Sequence, residues 1–301
     1  MPVACRNHGL HLVFLVPEAA PSNGACQEGR RDHPKGVTGT RFRRPAVAGL
    51  FYPADPTELQ ESVRGYLTAA AAVPQGSAPK AIIAPHAGYV YSGPVAAQAY
   101  GLLAGLRERI RRVVLVGPSH RVGFRGLAVP SADVFTTPVG PVPVDRATLA
   151  RLLDLPQVVE RDDAHTDEHS LEVQLPFLQQ VLESFELVPL AAGDATAEEM
   201  AEVLEAAWGG PETLIVVSSD LSHYQDYETA RRLDAATSRA IEGLQPEALD
   251  WESACGRVGI SGLLLVARRR ELACRTLDLR NSGDTAGPRD RVVGYGAYAF
   301  A

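Results

Sequence analysis

Three short apolar runs in this chain end in the same way, and that recurrence constrains the fold more than any other feature. Ala81-Ile-Ile-Ala-Pro85 leads into His86-Ala-Gly88. Val113-Val-Leu-Val-Gly-Pro118 leads into Ser119-His120. Leu214-Ile-Val-Val-Ser-Ser219 leads into Asp220-Leu-Ser-His223. Each reads as a buried strand followed by a turn that carries a histidine. A fourth run of this kind is residues 187–190, and a last strand, where Tyr295, Tyr298 and Phe300 alternate with Gly and Ala, is residues 292–300.

Helical periodicity fills the intervals at residues 56–72, 94–106, 170–182, 197–208, 227–243 and 262–272. Asp55 before Pro56, and Asp194 with Thr196 before Glu198, are N-terminal signals. Strands alternating with helices predict an α/β fold, layered αβα, with a central, mostly parallel sheet. In such sheets ligands bind outside the carboxyl ends of the strands. If the three strands are parallel neighbours, three imidazoles and Asp220 converge on one crevice. Imidazole is the commonest metal ligand and the natural acid–base group near neutral pH. Taken singly, each histidine reads more readily as a turn or capping residue than as a ligand.

Composition excludes other classes. With 46% hydrophobic and 22% charged residues, the 301-residue chain is not disordered. Its formal net charge of −7 argues against nonspecific nucleic-acid binding. No run approaches the roughly 20 apolar residues of a membrane span. Cys5, Cys26, Cys255 and Cys274 lie far apart, with no finger or thioredoxin spacing, which points to a reducing, cytoplasmic compartment. Residues 12–16 are apolar but too short, and lack the flanks, for a signal peptide. Residues 1–40 mix Pro, Gly, Asn and charge without period and read as a flexible extension. Residues 41–301 read as a single domain.

His165-Thr-Asp-Glu168-His169 matches an inverted zinc-peptidase string. With a helix starting near Ser170, His165 falls outside it and the one-turn spacing of the two ligands fails. His169 and Glu172 either border a site from the helix or form an ordinary polar helix start. Cys255, beside Gly256 and Arg257, is either a small buried hydrophobe or a thiolate favoured by the nearby Arg and helix start. Cys274 is assigned to the core. No phosphate-binding Gly loop with its Lys and no Gly-x-Ser-x-Gly elbow is present.

Six ordered motifs carry a resemblance. They are Ala48-Gly49-Leu-Phe-Tyr52-Pro53, Ile83-Ala-Pro-His86-Ala-Gly-Tyr89-Val-Tyr-Ser-Gly93, Gly117-Pro-Ser-His120, Asp167-Glu-His-Ser-Leu-Glu172 with Leu175-Pro-Phe, Ser218-Ser-Asp220-Leu-Ser-His223, and Cys255-Gly-Arg. Together, from about Arg44 to Phe300, they resemble the Memo family, whose prokaryotic members are called AmmeMemoRadiSam system protein B. That family is similar in fold to class III extradiol dioxygenases. The resemblance implies a metal held by His86 and His120, with Cys255 where the dioxygenases have a carboxylate, and His223 as acid–base catalyst accompanied by Asp220. It implies copper or iron, with zinc also suited to a soft thiolate, and a redox activity on a small molecule or peptide. His169, Glu172 and Arg257 are then supporting or substrate-binding residues. The same resemblance implies, as the alternative, a noncatalytic module that binds peptides or phosphopeptides. It also implies a pathway link to an AMMECR-type protein and a radical-SAM enzyme.

Overall fold

The computed structural model describes residues 39–70 and 78–301, so residues 1–38 of the predicted extension, 12–16 among them, lie outside the described residues. Twelve strands are described: β1 (Phe42–Arg43), β2 (Ala81–Ala84), β3 (Arg112–Pro118), β4 (Leu127–Val129), β5 (Val134–Thr137), β6 (Gly140–Pro143), β7 (Val158–Glu160), β8 (Glu186–Ala192), β9 (Thr213–Ser218), β10 (His223–Gln225), β11 (Cys274–Asn281) and β12 (Val292–Phe300). The helices are α1 (Pro56–Ala69), α2 (Tyr89–Gly101), α3 (Arg146–Leu152), α4 (Asp163–Thr166), α5 (Leu175–Val181), α6 (Ala197–Ala206), α7 (Tyr227–Glu242), α8 (Arg257–Arg269) and α9 (Ser282–Thr285).

Nine strands form the main sheet in the order β10-β12-β2-β9-β3-β8-β4-β7, with β11 also on β12. Its centre, β2-β9-β3-β8, is parallel throughout. Every residue of β2 and β9 is buried, which is why both read as continuous apolar runs. Helices flank the sheet: α1, α2 and α5 pack together, and α6 packs on α8. The architecture is the layered α/β fold expected from the sequence. Among the described residues no helix is long and apolar enough to cross a membrane. A small sheet, β1-β5-β6, brings Arg43 beside Phe135.

Several helix boundaries differ from expectation, each for a packing reason. Helix α8 starts at Arg257, five residues before Gly262, although Gly259 and Gly262 look like breakers. They are points of close approach instead: a Cβ on Gly262 would lie 2.2 Å from Met200 Cγ of α6. Helix α2 starts at Tyr89 and contains Pro94, whose missing N–H falls opposite the exposed Val90. The helix expected from Ser170 begins at Leu175, where Pro176 suits the first turn, preceded by a 3₁₀ turn at Glu172–Gln174. His165 lies outside that helix, as expected, in the separate four-residue α4. Helix α6 is opened by a Thr196–Glu199 capping box. Half-buried Cys274 starts β11 and packs against the core, and burial pushes its thiol up to about 12.

Candidate metal centre

The order β2-β9-β3 places three carboxyl ends side by side, so the turns after them meet. Ring centroids of His86 and His120 lie 5.2 Å apart. His169 joins them from the segment between α4 and α5, at 5.5 Å from His86 and 4.7 Å from His120. One ring nitrogen from each of His86, His120 and His169 lies within 4.8 Å of the others, a group that could hold a metal ion. Cys255, just ahead of α8, sets its Sγ 3.3 Å from His86 Nε2.

The segment carrying His169 is tied to the sheet by serines. Ser170 Oγ donates to the Pro118 carbonyl at 2.8 Å, and Ser218 Oγ donates to the Ser170 carbonyl at 2.6 Å. Gly117 leaves room for this segment: a Cβ there would lie 2.7 Å from Ser170 Oγ. Cys255 is fixed through Gly256, where a Cβ would meet the Ser218 carbonyl at 2.7 Å and Ser219 Cβ at 2.6 Å. The Asp220 N–H donates to Cys255 Sγ at 3.3 Å, which holds the thiol against the end of β9.

Hydrogen-bond bookkeeping assigns the His86 tautomer. Tyr100 donates to Gln174 Oε1 at 2.7 Å, which turns the Gln174 amide nitrogen toward Ser218 Oγ, also at 2.7 Å. Because the Ser218 proton goes to the Ser170 carbonyl, Ser218 Oγ accepts from His86 Nδ1–H at 2.9 Å. The Nε2 lone pair then faces Cys255 and the other rings. Burial, reinforced by His120, His169 and His223, holds His86 far below the usual imidazole range, so it is neutral.

Glu168 orients His120. Its carboxylate accepts the His120 backbone N–H at 2.6 Å, His120 Nδ1 at 2.9 Å and the Ser170 N–H at 2.9 Å, and lies 3.4 Å from His169 Nδ1. Although burial opposes its charge, the bond to His120 and the two nearby rings bring its pKa down to about 2. This leaves His120 Nε2 for the centre, the arrangement of a carboxylate behind a metal-binding histidine. Burial works against charge on His120, but its hydrogen bonds to Cys255 and Glu168 outweigh it and push the pKa up to about 10. Burial and the His120 charge bring His169 down to about 4.

The remaining predicted residues separate. His223 starts β10, and its pKa is lowered by burial and by His120, so it lies within electrostatic reach of the cluster. Asp220 does not pair with His223. The turn after β9 directs its carboxylate to the backbone N–H groups of His86, at 2.8 Å, and Ala87, and burial pushes it up to about 7. Glu172 does not join the cluster: its oxygens are taken by Arg43, Ala46 N–H, Val47 N–H and the Tyr52 hydroxyl. It clasps residues 43–52 to the domain. Arg257 stacks on Trp251 beside Cys255. His165 donates Nε2–H to the Ala128 carbonyl and is buried away from the cluster.

Sequence reasoning missed Glu168 as the His120 partner and took His169 as peripheral. The available signal was the peptidase-like string itself, which does place a Glu and a His together at a metal-competent site.

The Memo-like protein family model matches residues 43–299. The chain is 36% identical over 269 residues to a MEMO1 family protein of Aquifex aeolicus (strain VF5), covering 85% of this chain and 97% of that protein. It is 38% identical over 280 residues to a MEMO1 family protein of Aeropyrum pernix, covering 85% and 99%. Among solved structures, that of uncharacterized protein JW3007 from Escherichia coli K12 superposes with a TM-score of 0.51 at 15% identity, covering 73% of this chain and 98% of that one. At that identity the likeness concerns the fold alone. The family model and the relatives, spanning nearly the whole described domain, agree: the chain belongs to the Memo-like protein family.

Proposed function

We propose that this chain is a metal-dependent oxidoreductase that holds one copper or iron ion between His86, His120 and Cys255, with His169 as a further donor at the same point. The observation that carries the reading is the meeting of three imidazoles with a thiol whose Sγ lies 3.3 Å from His86 Nε2. The donor set fits such a metal. His86 and His120 both have Nδ1 engaged, so Nε2 is the atom each would offer an ion, which on His120 would take the place of the Nε2 proton, and a thiolate with imidazoles suits copper, iron or zinc. When bound, copper or iron supplies one-electron exchange. Among the protein's own groups, Glu168 fixes the His120 ring, Ser218 fixes the His86 tautomer, and Asp220 holds the His86 backbone. His223, partly accessible and with a lowered pKa, exchanges protons with substrate.

The test is anaerobic titration of tag-free protein with Fe(II), Cu(I) or Zn(II), followed by gel filtration and elemental analysis. About one Fe or Cu per chain should co-elute, and His86→Ala should remove it. Unchanged stoichiometry in that variant contradicts the reading.

A further inference from the structure

Beside the histidine cluster, the ends of β3 and β8 and the start of α8 enclose a cleft of about 240 Å³. Cys255 lines it, so the cleft and the candidate centre share a wall. Val122, Phe124 and Val258 make it largely apolar, and its charged residues are Arg257 and Asp194. Arg257 Nε is buried and has no hydrogen-bond partner. Asp194 and Asp250 act on this guanidinium only through space. Its Cζ lies 3.3 Å from the ring centroid of Trp251, a side chain 73% exposed. Stacking occupies one face of the guanidinium and leaves its in-plane N–H edge for a planar acceptor. Nε itself is closed to solvent, so the guanidinium meets a ligand oxygen with its terminal N–H groups. Helix α8 has no side-chain cap, so its first-turn amides add positive potential at the same place.

We propose that this cleft is the carboxylate-recognising part of the substrate site: a small acid lays its apolar body against Phe124 and Val122, its carboxylate on Arg257. This rests on reading the histidine–cysteine cluster as the reactive centre. The volume lies below the roughly 300–1,000 Å³ of drug-sized ligand sites, so the occupant is small. Arg257 and Asp194 cancel, so the cleft tolerates one added negative charge better than two. That favours a carboxylate, which matches a guanidinium edge in two parallel hydrogen bonds, over a phosphate dianion.

Calorimetric titration with benzoate, its neutral analogue benzamide, and phenyl phosphate tests this, on chelator-treated and on metal-loaded protein. Benzoate should bind about tenfold or more tighter than benzamide in both preparations, the size expected of a charge-assisted hydrogen bond. Arg257→Gln should abolish that preference and Arg257→Lys restore part of it. Should Arg257→Gln fold poorly, Trp251→Ala, at an exposed position, should weaken benzoate severalfold. Asp194→Asn should improve phenyl phosphate binding. Equal affinity for benzoate and benzamide overturns the proposal. So does a preference that survives Arg257→Gln; if it also requires metal, the carboxylate sits on the ion and the metal reading stands. Arg257-dependent benzoate binding in a protein that takes up no metal supports the cleft and removes the metal reading.

Discussion

Cys255 and His86 are 169 residues apart in the chain, yet Sγ and Nε2 lie 3.3 Å from one another. Two separate features close that distance. The β2–β9 pairing puts His86 next to the Ser218–Asp220 turn, and Gly256 lets the start of α8 settle onto the same turn. The thiol therefore reaches the imidazole through shared contact with the end of β9.

That dependence makes Gly256 a sensitive position. Gly256→Ala would drive a Cβ into the Ser218 carbonyl and Ser219. Overpacking of this kind costs about 1–3 kcal/mol, and here it should also move Cys255 away from His86. Denaturant unfolding and metal titration of this variant should both report losses. Unchanged metal affinity would mean that Cys255 does not need its present position.

Glu168 holds His120 through both its backbone N–H and its Nδ1. Glu168→Gln keeps the shape but removes the charge, and should weaken metal binding about 10–100-fold, as loss of such a partner usually does. Competition titration against a chelator measures it. An effect below twofold would assign Glu168 a purely structural role.

For Glu172 the expectation runs the other way. It is fully buried and paired with the nearly buried Arg43. Removing one partner of such a pair costs about 3–5 kcal/mol. Glu172→Ala should lower the unfolding free energy by that order, while metal per folded chain stays near the parent value. A selective loss of metal with stability intact would return Glu172 to the site.

Asp234 supplies a pH test remote from the metal ligands. Burial pushes its carboxyl from the ordinary 3.8 up to about 6, although Ser222 N–H donates to it at 3.0 Å. Below 3.8 the group is protonated folded or unfolded and contributes nothing. As pH rises to about 6 the unfolded chain loses the proton first, so the native state loses stability, by up to about 3 kcal/mol. The stability difference between wild type and Asp234→Asn should therefore shift in favour of the variant from pH 4 to 6 and level off above. A difference that is flat with pH would show that Asp234 is not perturbed.

Much of the fold was readable from the sequence because buried parallel strands announce themselves as short apolar runs. The runs at β2, β3 and β9 and the turns after them point His86 and His120 toward one crevice. Helix starts were harder. Gly259, Gly262 and Pro94 are local break signals that tertiary packing overrides, which hid the first turns of α8 and α2. The segment holding Glu168 and His169 has no apolar period to follow. Its position comes from Ser170 and Ser218 hydrogen bonds between distant parts of the chain, which local pattern does not encode. The same reason hid the partners of Asp220 and Glu172: an acidic residue in sequence shows its charge but not which backbone amides it will meet.

X-ray absorption at the metal edge of the iron- or copper-loaded protein tests the shared ion most directly. With Cys255 and the imidazoles on one ion, the spectrum should contain one sulfur scatterer alongside nitrogen scatterers, and Cys255→Ala should lose the sulfur alone. A first shell of nitrogen and oxygen only in the wild-type protein would contradict the account.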